Sequence, residues 1–461
     1  MSAKIRNIFS LLIAITVVAS LFSCSRIEPD LSFRPNSTQN QTGGNSRVEA
    51  DAYRNVFLMY SCGYNDLSTY LRNDIKEFVE NLHINNNRDA LLIFSHSTTK
   101  YGDYKTPSSP TLTHIYKDKE GKTVQDTLIV MNEDKVAVNA QTMKEVLTFV
   151  KENFPASVYG MLFSSHGSGW VPAKYIYNPE YYEGHGNSDD FEAMLRKPRQ
   201  TSGQYNSQGY SSDKPLVKSA GMHLITYDKY MYPYPYYEAH EINITDFAKA
   251  LPMKLDYLIF DACLMGGVEM AYQLRGKCDY LIASQAEILA DGMDYKTMAS
   301  YIFDSKWPDY VGLCENYYNY YNAKSGQFQS ATISIVDCNR LEPLADICKE
   351  IFSSCRSNIA LLEGSKKVQG YFREEDRSTL QWYYDLEDIA IKAGASEQQL
   401  NQLSAALNDC IIYKNATERL LGSRLIEHHS GLSMYLPFKR RTYINTFYKL
   451  LDWNKATGLV E

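Results

Sequence analysis

Two segments of the chain place a histidine and a cysteine where their side chains can meet. His166, followed by Gly167, comes directly after the apolar run 159–164, and Cys263 comes just after the apolar run 256–260. Both runs are typical of strands in a parallel sheet, and the carboxyl ends of neighbouring parallel strands lie at one edge, where ligands bind. An imidazole beside a thiol is the pair that a cysteine hydrolase needs, because the imidazole transfers protons while the thiolate attacks the substrate.

The residues around the cysteine favour a reactive thiol. The stretch from Val268 to Leu274 has helical spacing, so the sulfur of Cys263 is expected near the positive end of a helix dipole, which stabilises a thiolate. The backbone N–H groups of Gly167 and Cys263 are candidate donors to an oxyanion. Each residue also has an ordinary explanation, since a lone cysteine after a strand is usually a buried apolar residue and a His-Gly pair is usually a turn. From the residues alone, an active site and a structural role both stay open.

The elements that must position this pair follow from the apolar pattern. Short runs of continuous apolar residues predict strands covered on both faces, as in a mostly parallel sheet flanked by helices. The runs are residues 55–60, 90–94, 159–164, 256–260, 280–284, 331–336 and 432–436. Apolar residues spaced by three and four in 67–82 and 143–150 predict crossover helices. Segments 111–116 and 127–131 alternate and predict a hairpin near a sheet edge. The fold class is therefore α/β.

Two regions depart from this pattern. Residues 172–241, called the insertion below, are polar and rich in Tyr and Gly, and a stretch of that length without periodic apolarity is usually functional or mobile. Residues 341–461 are mainly helical in pattern and are predicted to form a smaller C-terminal region packed on the sheet. The core strands that surround the His and Cys fall within 51–340.

The N-terminal residues predict export. A short basic stretch precedes an apolar run from Ile8 to Phe22, which is too short for a permanent membrane anchor and ends in polar sequence. The tetrad that ends at Cys24 resembles the lipobox of bacterial lipoproteins. These features predict a signal peptide over 1–23, lipid on Cys24 and a disordered tether over 24–50. The expected location is a bacterial outer membrane, on its periplasmic or its outer face.

The composition excludes some classes of protein. The 461 residues carry 47 basic and 54 acidic side chains, a net charge of −7, with both signs interspersed, so no nucleic-acid-binding surface is expected. With Cys24 set aside, eight cysteines remain, an even number that in an exported protein would allow disulfides. Most of them lie in apolar runs, so they are predicted to be mostly buried thiols. No Cys-x-x-Cys or His-x-x-x-His pair suggests a zinc site. His428 and His429 are adjacent and point apart, so they are predicted to lie at the surface.

Several motifs beyond the reactive pair resemble the clostripain family of cysteine peptidases. They are Met59-Tyr60, Asn65-Asp66-Leu67, His166-Gly167-Ser168-Gly169-Trp170, Phe260-Asp261-Ala262-Cys263-Leu264-Met265-Gly266, Ala283-Ser284-Gln285-Ala286-Glu287 and Gly431-Leu432-Ser433-Met434-Tyr435-Leu436-Pro437. The resemblance spans about residues 53 to 440. It implies a caspase-like sheet, which agrees with the fold class expected from the apolar pattern.

The resemblance implies an endopeptidase in which Cys263 is the nucleophile and His166 gives a proton to the leaving amine, through a thioester that water resolves. It also implies protein or peptide substrates cleaved after Arg or Lys, because Asp261 matches the acidic residue that the family places in the S1 pocket. A turn or helix-start carboxylate is the structural alternative for Asp261. Asp291 is a second candidate acid for the pocket. No cofactor is implied, apart from calcium, which stays open.

The insertion separates His166 from Cys263 more widely than the family leads us to expect. The resemblance implies activation by cleavage between the two residues, and several basic residues lie there: Arg196, Lys197, Arg199, Lys214 and Lys218. Gating the cleft and binding a partner are alternative roles for the insertion. A second function also stays open, that of a catalytically idle surface lipoprotein that binds glycan or protein through its Tyr-rich insertion. Retention of His166, Cys263 and Asp261 favours the enzyme.

Overall fold

The structure is a computed structural model of the chain. It describes residues 53–84, 88–100, 106–173, 175–177, 179–185, 223–228, 236–372 and 381–461. The predicted signal peptide, Cys24, the tether and the basic residues of the insertion lie outside these ranges. Within them, no helix is both long enough and apolar enough to span a membrane.

The described ranges contain fifteen strands, of which nine form one central sheet and six form three two-stranded sheets. The strands are β1 (Tyr53–Cys62), β2 (Asp89–His96), β3 (Thr111–Lys117), β4 (Thr123–Val130), β5 (Ala156–Ser164), β6 (His223–Asp228), β7 (Tyr236–His240), β8 (Leu255–Asp261), β9 (Cys278–Ala283), β10 (Thr332–Asp337), β11 (Tyr384–Asp385), β12 (Ile411–Ala416), β13 (Arg419–Leu420), β14 (Arg424–Leu425) and β15 (Ser433–Met434). The central sheet has the order β12-β10-β9-β8-β5-β1-β2-β3-β4. Its five strands from β9 to β2 are mutually parallel. The mostly parallel α/β sheet is therefore confirmed, with the predicted hairpin β3–β4 at one edge.

Thirteen α-helices accompany these strands in the described ranges. They are α1 (Ser68–Glu80), α2 (Ala140–Asn153), α3 (Pro179–His185), α4 (Ile244–Ala250), α5 (Val268–Leu274), α6 (Tyr295–Phe303), α7 (Tyr310–Asn322), α8 (Glu342–Ser354), α9 (Arg356–Leu361), α10 (Leu386–Lys392), α11 (Glu397–Cys410), α12 (Thr442–Tyr448) and α13 (Asp452–Thr457). One group of contacting helices is α1, α6 and α7, and another runs from α2 through α4, α5 and α13 to α8 and α11. The two predicted crossover helices are α1 and α2.

The two helix groups cover opposite faces of the sheet. Phe57 of β1 packs its ring on Phe78 of α1 and Phe303 of α6. Tyr60, three residues further and therefore on the other face, packs on Phe163, which in turn contacts Phe247 of α4. Strands covered on both faces explain the continuous apolar runs. The eight cysteines of the described ranges are buried and free, as predicted.

One strand prediction is confirmed and another needs correction. Strand β10, predicted from the run 331–336, joins the sheet antiparallel to β9, so the sheet is mostly rather than wholly parallel. The run 432–436 is not a strand of the central sheet, because only Ser433–Met434 pairs, and it pairs with Tyr384–Asp385. The N–H of Ser433 donates instead to the carbonyl of Gly266, in the loop after β8. The mainly helical C-terminal residues also supply β12 to the sheet, at its edge beside β10.

The first residues of the insertion are packed rather than loose. The side chain of Glu183 in α3 accepts hydrogen bonds from the hydroxyl of Tyr175 at 2.6 Å and from the N–H of Tyr443 at 3.0 Å. This carboxylate therefore holds the start of the insertion against α12. The contact is made by tyrosine rings and a carboxylate, which a search for periodic aliphatic residues does not detect.

Candidate active site

The structure brings His166 and Cys263 to neighbouring strand ends. Ser164 of β5 pairs with Asp261 of the parallel strand β8, so each reactive residue lies two positions beyond the same rung. A Cβ atom on Gly167 would clash with the carbonyl oxygen of Cys263 and lie 2.9 Å from its amide nitrogen. Glycine is therefore required at position 167, and the two loops touch through their backbones.

The loop that carries Cys263 is tightly held. Leu264 has a φ of 64°, a conformation that costs a residue with a side chain of order 1 kcal/mol and persists only when its surroundings impose it. The loop after β9 supplies that support, because Leu264 N–H donates to Ala286 O at 2.9 Å and Gly266 N–H donates to Ser284 O at 2.7 Å. Backbone bonds on both sides of the strained residue thus fix where the thiol points.

The thiol of Cys263 is buried, with 0% of the residue exposed. Its sulfur accepts a hydrogen bond from Ile288 N–H at 3.2 Å and lies 3.6 Å from Ile288 O. Helix α5 begins only at Val268, after the N-cap Gly267. The sequence led us to expect the N-terminus of this helix beside the sulfur. The groups that contact the sulfur are instead backbone atoms of the loop after β9.

His166 has a partner that the sequence reasoning missed. Its Nε2 lies 2.5 Å from Oδ1 of Asp66, in the turn between β1 and α1, and only 1% of the histidine is exposed. Strand β1 is the parallel neighbour of β5, so three successive strands of the sheet, β1, β5 and β8, each deliver one residue to the same edge. The sequence held part of the signal, since Asp66 lies in the polar segment six residues after the apolar run 55–60. It did not show that this run lies beside β5.

The loop from His166 to Trp170 also packs on the C-terminal region. The hydroxyl of Tyr383 donates to Ser168 O at 2.6 Å. Gly169 has a φ of 56°, and a Cβ there would lie 2.5 Å from Leu264 O and 3.0 Å from the Tyr383 ring. The ring of Trp170 packs on that of Tyr435, with centroids 4.5 Å apart. Tyr383 and Tyr435, which lie far along the chain, thus pack against this loop.

Asp261 lies two positions before the cysteine and is inaccessible to solvent, with 0% of the residue exposed. Its Oδ2 accepts hydrogen bonds from Ser164 Oγ at 2.8 Å and from the hydroxyl of Tyr295 at 2.6 Å. Burial, followed by the charge of Asp261, raises the pKa of Tyr295 well above its ordinary value. The same two causes raise the pKa of Tyr317, another fully buried residue. Asp261 therefore accepts a hydrogen bond from one buried phenol, that of Tyr295, and its charge also acts on that of Tyr317.

Asp291 lies at the surface of the same region. Its side chain is 48% exposed, and its Oδ2 lies 3.2 Å from Nζ of Lys324. Burial is the main cause that raises the pKa of the nearby Tyr321, and the charges of both Asp291 and Asp261 contribute. The hydroxyl of Tyr321 donates to Gly292 O at 2.6 Å. The two predicted pocket acids thus differ in access to solvent, since Asp261 is fully buried and Asp291 is half exposed.

No cluster of three or more metal-ligating side chains occurs in the part of the chain that the structure describes. The surface prediction for His428 and His429 was wrong, since both are partly buried. Nε2 of His428 lies 2.9 Å from Glu387, and Nδ1 of His429 lies 3.0 Å from the hydroxyl of Tyr371. The two rings bind separate partners, because adjacent side chains diverge.

The sequence model of the clostripain family matches residues 59–190 and 226–459, well over half of the chain. The chain belongs to the clostripain family. The matched ranges include His166, Cys263 and both ends of the insertion, so within the insertion only 191–225 falls outside the family pattern. A search of curated protein sequences gave no match.

Solved proteases of this family share the fold. An inactive zymogen from Parabacteroides distasonis is 25% identical, with a TM-score of 0.65 over 88% of this chain and 98% of its own. A secreted cysteine protease from Bacteroides thetaiotaomicron, in complex with an irreversible peptide inhibitor, is 23% identical, with a TM-score of 0.63 over 88% and 99% of the two chains. The second likeness concerns the fold alone.

Proposed function

We propose that this clostripain-family chain is a cysteine endopeptidase that cleaves after Arg or Lys, with Cys263 as the nucleophile and His166 as the proton donor. The observation that carries the proposal is the contact of the two loops, where Gly167 lies against the backbone of Cys263. This contact brings a thiol and an imidazole to one edge of the sheet. Membership of a family of cysteine peptidases supports the same chemistry.

The backbone N–H groups of Gly167 and Cys263 form the oxyanion hole in this proposal. A Cβ on Gly167 would lie 2.9 Å from the amide nitrogen of Cys263, so the two amides border one small space. Fixed donors of this kind stabilise the charge that develops on the substrate oxygen, and removal of one typically costs about 100-fold to 1,000-fold in kcat. The turn at Leu264, which has a strained φ and is held by two backbone hydrogen bonds, keeps the amide of Cys263 in place.

Asp291 and Asp261 act on the P1 cation in different ways. Asp291 is half exposed and already binds an ammonium group, that of Lys324, so an Arg or Lys side chain of a substrate can replace it. Asp261 is buried and bonded to two hydroxyl groups, and it supports the pocket through its charge. Both carboxylates therefore favour a basic P1 residue, with Asp291 in direct contact.

Maturation by cleavage in the insertion belongs to the same proposal. The thiol is fully buried in this structure, and a substrate carbonyl cannot approach it without movement of its surroundings. A latent form that becomes active when the chain is cut between His166 and Cys263 accounts for this burial. One family member of known structure is an inactive zymogen. Export through the signal peptide and lipid on Cys24 complete the proposal and give the enzyme a membrane surface.

A cleavage assay tests the proposal. The chain that lacks residues 1–24 is incubated with peptide substrates that differ only in a P1 Arg, Lys or norleucine. We expect cleavage after Arg or Lys and none by Cys263→Ala. Cys278→Ala is the matched control, because Cys278 is also a fully buried thiol, and it should keep its activity. If the wild type cleaves none of the substrates above the background of Cys263→Ala, the result would favour the idle binding protein.

A further inference from the structure

We propose that Asp66 is a positioning residue for the reaction. It holds His166 with the proton on Nε2 and stabilises the charged ring, so that Nδ1 is the nitrogen that exchanges a proton with the substrate. This inference rests on the proposed function. The observation that carries it is the 2.5 Å contact between Asp66 Oδ1 and His166 Nε2, made by a histidine that is almost completely buried. A charge-assisted hydrogen bond of this kind both orients an imidazole and selects its tautomer.

The turn that carries Asp66 is built to hold it still. The neighbouring Asn65 is fully buried; its Nδ2 donates to Cys62 O at 3.0 Å, and its Oδ1 accepts from Leu67 N–H at 2.9 Å. Ser165, which precedes the histidine, donates its hydroxyl to the same Cys62 carbonyl at 2.9 Å. One carbonyl at the end of β1 therefore ties the turn of Asp66 to the loop of His166, and the carboxylate is already in place before substrate binds.

The proton steps follow from this arrangement. The Cys263 thiol gives its proton to Nδ1, and the thiolate forms a C–S bond with the substrate carbonyl carbon. The imidazolium returns that proton to the leaving nitrogen as the C–N bond breaks, which leaves a thioester and a neutral ring. Water then attacks the thioester and gives one proton to Nδ1, and the C–S bond breaks as the C–O bond forms. The imidazolium returns that proton to the released thiolate, which regenerates the thiol and the neutral ring. Nε2 keeps its proton throughout and donates it in a hydrogen bond to Asp66. The ring carries a positive charge twice in each turnover.

Two variants and a control test the role of the carboxylate. Asp66→Ala removes the acceptor, whereas Asp66→Asn keeps an acceptor oxygen and removes the charge. The side chain of Asp66 is 29% exposed, so both variants should fold, which thermal unfolding checks. Asp304→Asn is the matched control, because Asp304 pairs with the exposed ring of His83 at 3.2 Å, at a distance from the site along the chain and in a setting open to water.

Acylation rates of two arginine substrates separate positioning from general damage. A p-nitroanilide needs a proton on its leaving amine, whereas the p-nitrophenyl ester of the same acyl group does not. We expect Asp66→Ala to slow acylation by the anilide about 100-fold or more, which is the range of general acid catalysis, with Asp66→Asn between it and wild type. KM should change little, and acylation by the ester should fall less than acylation by the anilide, because the ester needs the charged ring only to form the thiolate. Asp304→Asn should match wild type. Equal slowing of both substrates, or a variant as fast as or faster than wild type, would overturn the role.

A second readout does not depend on activity. In the Cys263→Ala chain labelled with ¹⁵N-histidine, His166→Gln identifies the ring signals of His166. With Asp66 present, we expect the proton on Nε2 and slow exchange of that proton with water; with Asp66→Ala added, this protection should be lost. Unchanged ring signals would refute the inference even in an active enzyme. If the wild type cleaves none of the substrates while the ring signals do respond to Asp66, the proposed function fails and the role of Asp66 in holding the ring stands.

Discussion

Replacing Glu269 with Gln should change how the stability of the protein depends on pH. Glu269 lies in the first turn of α5, directly beyond the loop of Cys263, and is fully buried. Its Oε1 accepts hydrogen bonds from Tyr435 N–H at 2.8 Å and from the hydroxyl of Tyr448 at 2.7 Å. Burial nevertheless dominates and raises the pKa of Glu269 to about 7. Glutamine keeps the shape and one acceptor oxygen but cannot titrate.

The sign and size of the effect follow from the two pKa values. An acid whose pKa is raised by folding binds its proton more tightly in the folded chain, so it contributes stability at low pH that is lost as the pH rises from the unfolded value through the folded one. For Glu269 the window runs from 4.5 to about 7. That difference corresponds to roughly 3 kcal/mol in the free energy of unfolding, complete a little above pH 7.

Urea unfolding of the Cys263→Ala chain, with and without Glu269→Gln, measures this contribution between pH 4.5 and 8. The variant should gain stability relative to its parent as the pH rises, by roughly 3 kcal/mol in total. Other shifted groups, such as Asp256, whose pKa burial raises to about 6, and His96, whose pKa burial lowers to about 4, cancel in the comparison. Glu342→Gln, at an exposed carboxylate, should give a curve parallel to that of the parent. A parallel curve for Glu269→Gln itself would refute the reasoning.

Two further predictions concern the proposed peptidase. Asp261→Asn should lower kcat/KM for Arg and Lys substrates by the equivalent of about 2 to 5 kcal/mol, with little effect on a norleucine substrate, because its charge is buried. Asp291→Asn should act in the same direction by about 1 kcal/mol or less, because this carboxylate is half exposed. A wild type that prefers an uncharged P1 residue would contradict both. The wild-type chain should cut itself within the insertion, and its fragments should stay associated, because β5 and β8 flank the insertion and pair in one sheet. Mass spectrometry beside Cys263→Ala checks this, since a nick that persists in the mutant belongs to another protease and a fully active, uncut wild type excludes the maturation step.

Much of the fold could be predicted because its strands are covered on both faces. The runs that became β1, β5 and β8 are continuously apolar, and the polar residues just after them therefore mark the strand ends where His166 and Cys263 lie. The hairpin β3–β4 was equally clear, because a strand at the sheet edge alternates. In both cases the signal is local, so it needs no knowledge of which strand lies beside which.

The missed features depend on pairing between distant parts of the chain. Asp66 becomes a partner of His166 only because β1 and β5 are neighbours in the sheet. The residues of neither strand predict which strand lies beside it. The pairing of Ser433–Met434 with Tyr384–Asp385, outside the central sheet, was missed for the same reason. His429 was placed at the surface because adjacent side chains point apart, yet its ring contacts the hydroxyl of Tyr371, and burial lowers its pKa to about 4.

The C-terminal region supports the nucleophile as well as the edge of the sheet. Gly431 O accepts hydrogen bonds from Gln285 Nε2 and from Ser334 Oγ, both at 2.8 Å and both from fully buried residues. Gln285 lies in the loop after β9, the loop whose backbone holds Leu264 and contacts the sulfur of Cys263. A buried amide that lost this partner would cost about 1 to 3 kcal/mol. Since Glu269 depends on Tyr435 in the same way, the position of the thiol is set by residues that follow it in the chain by more than 140 positions.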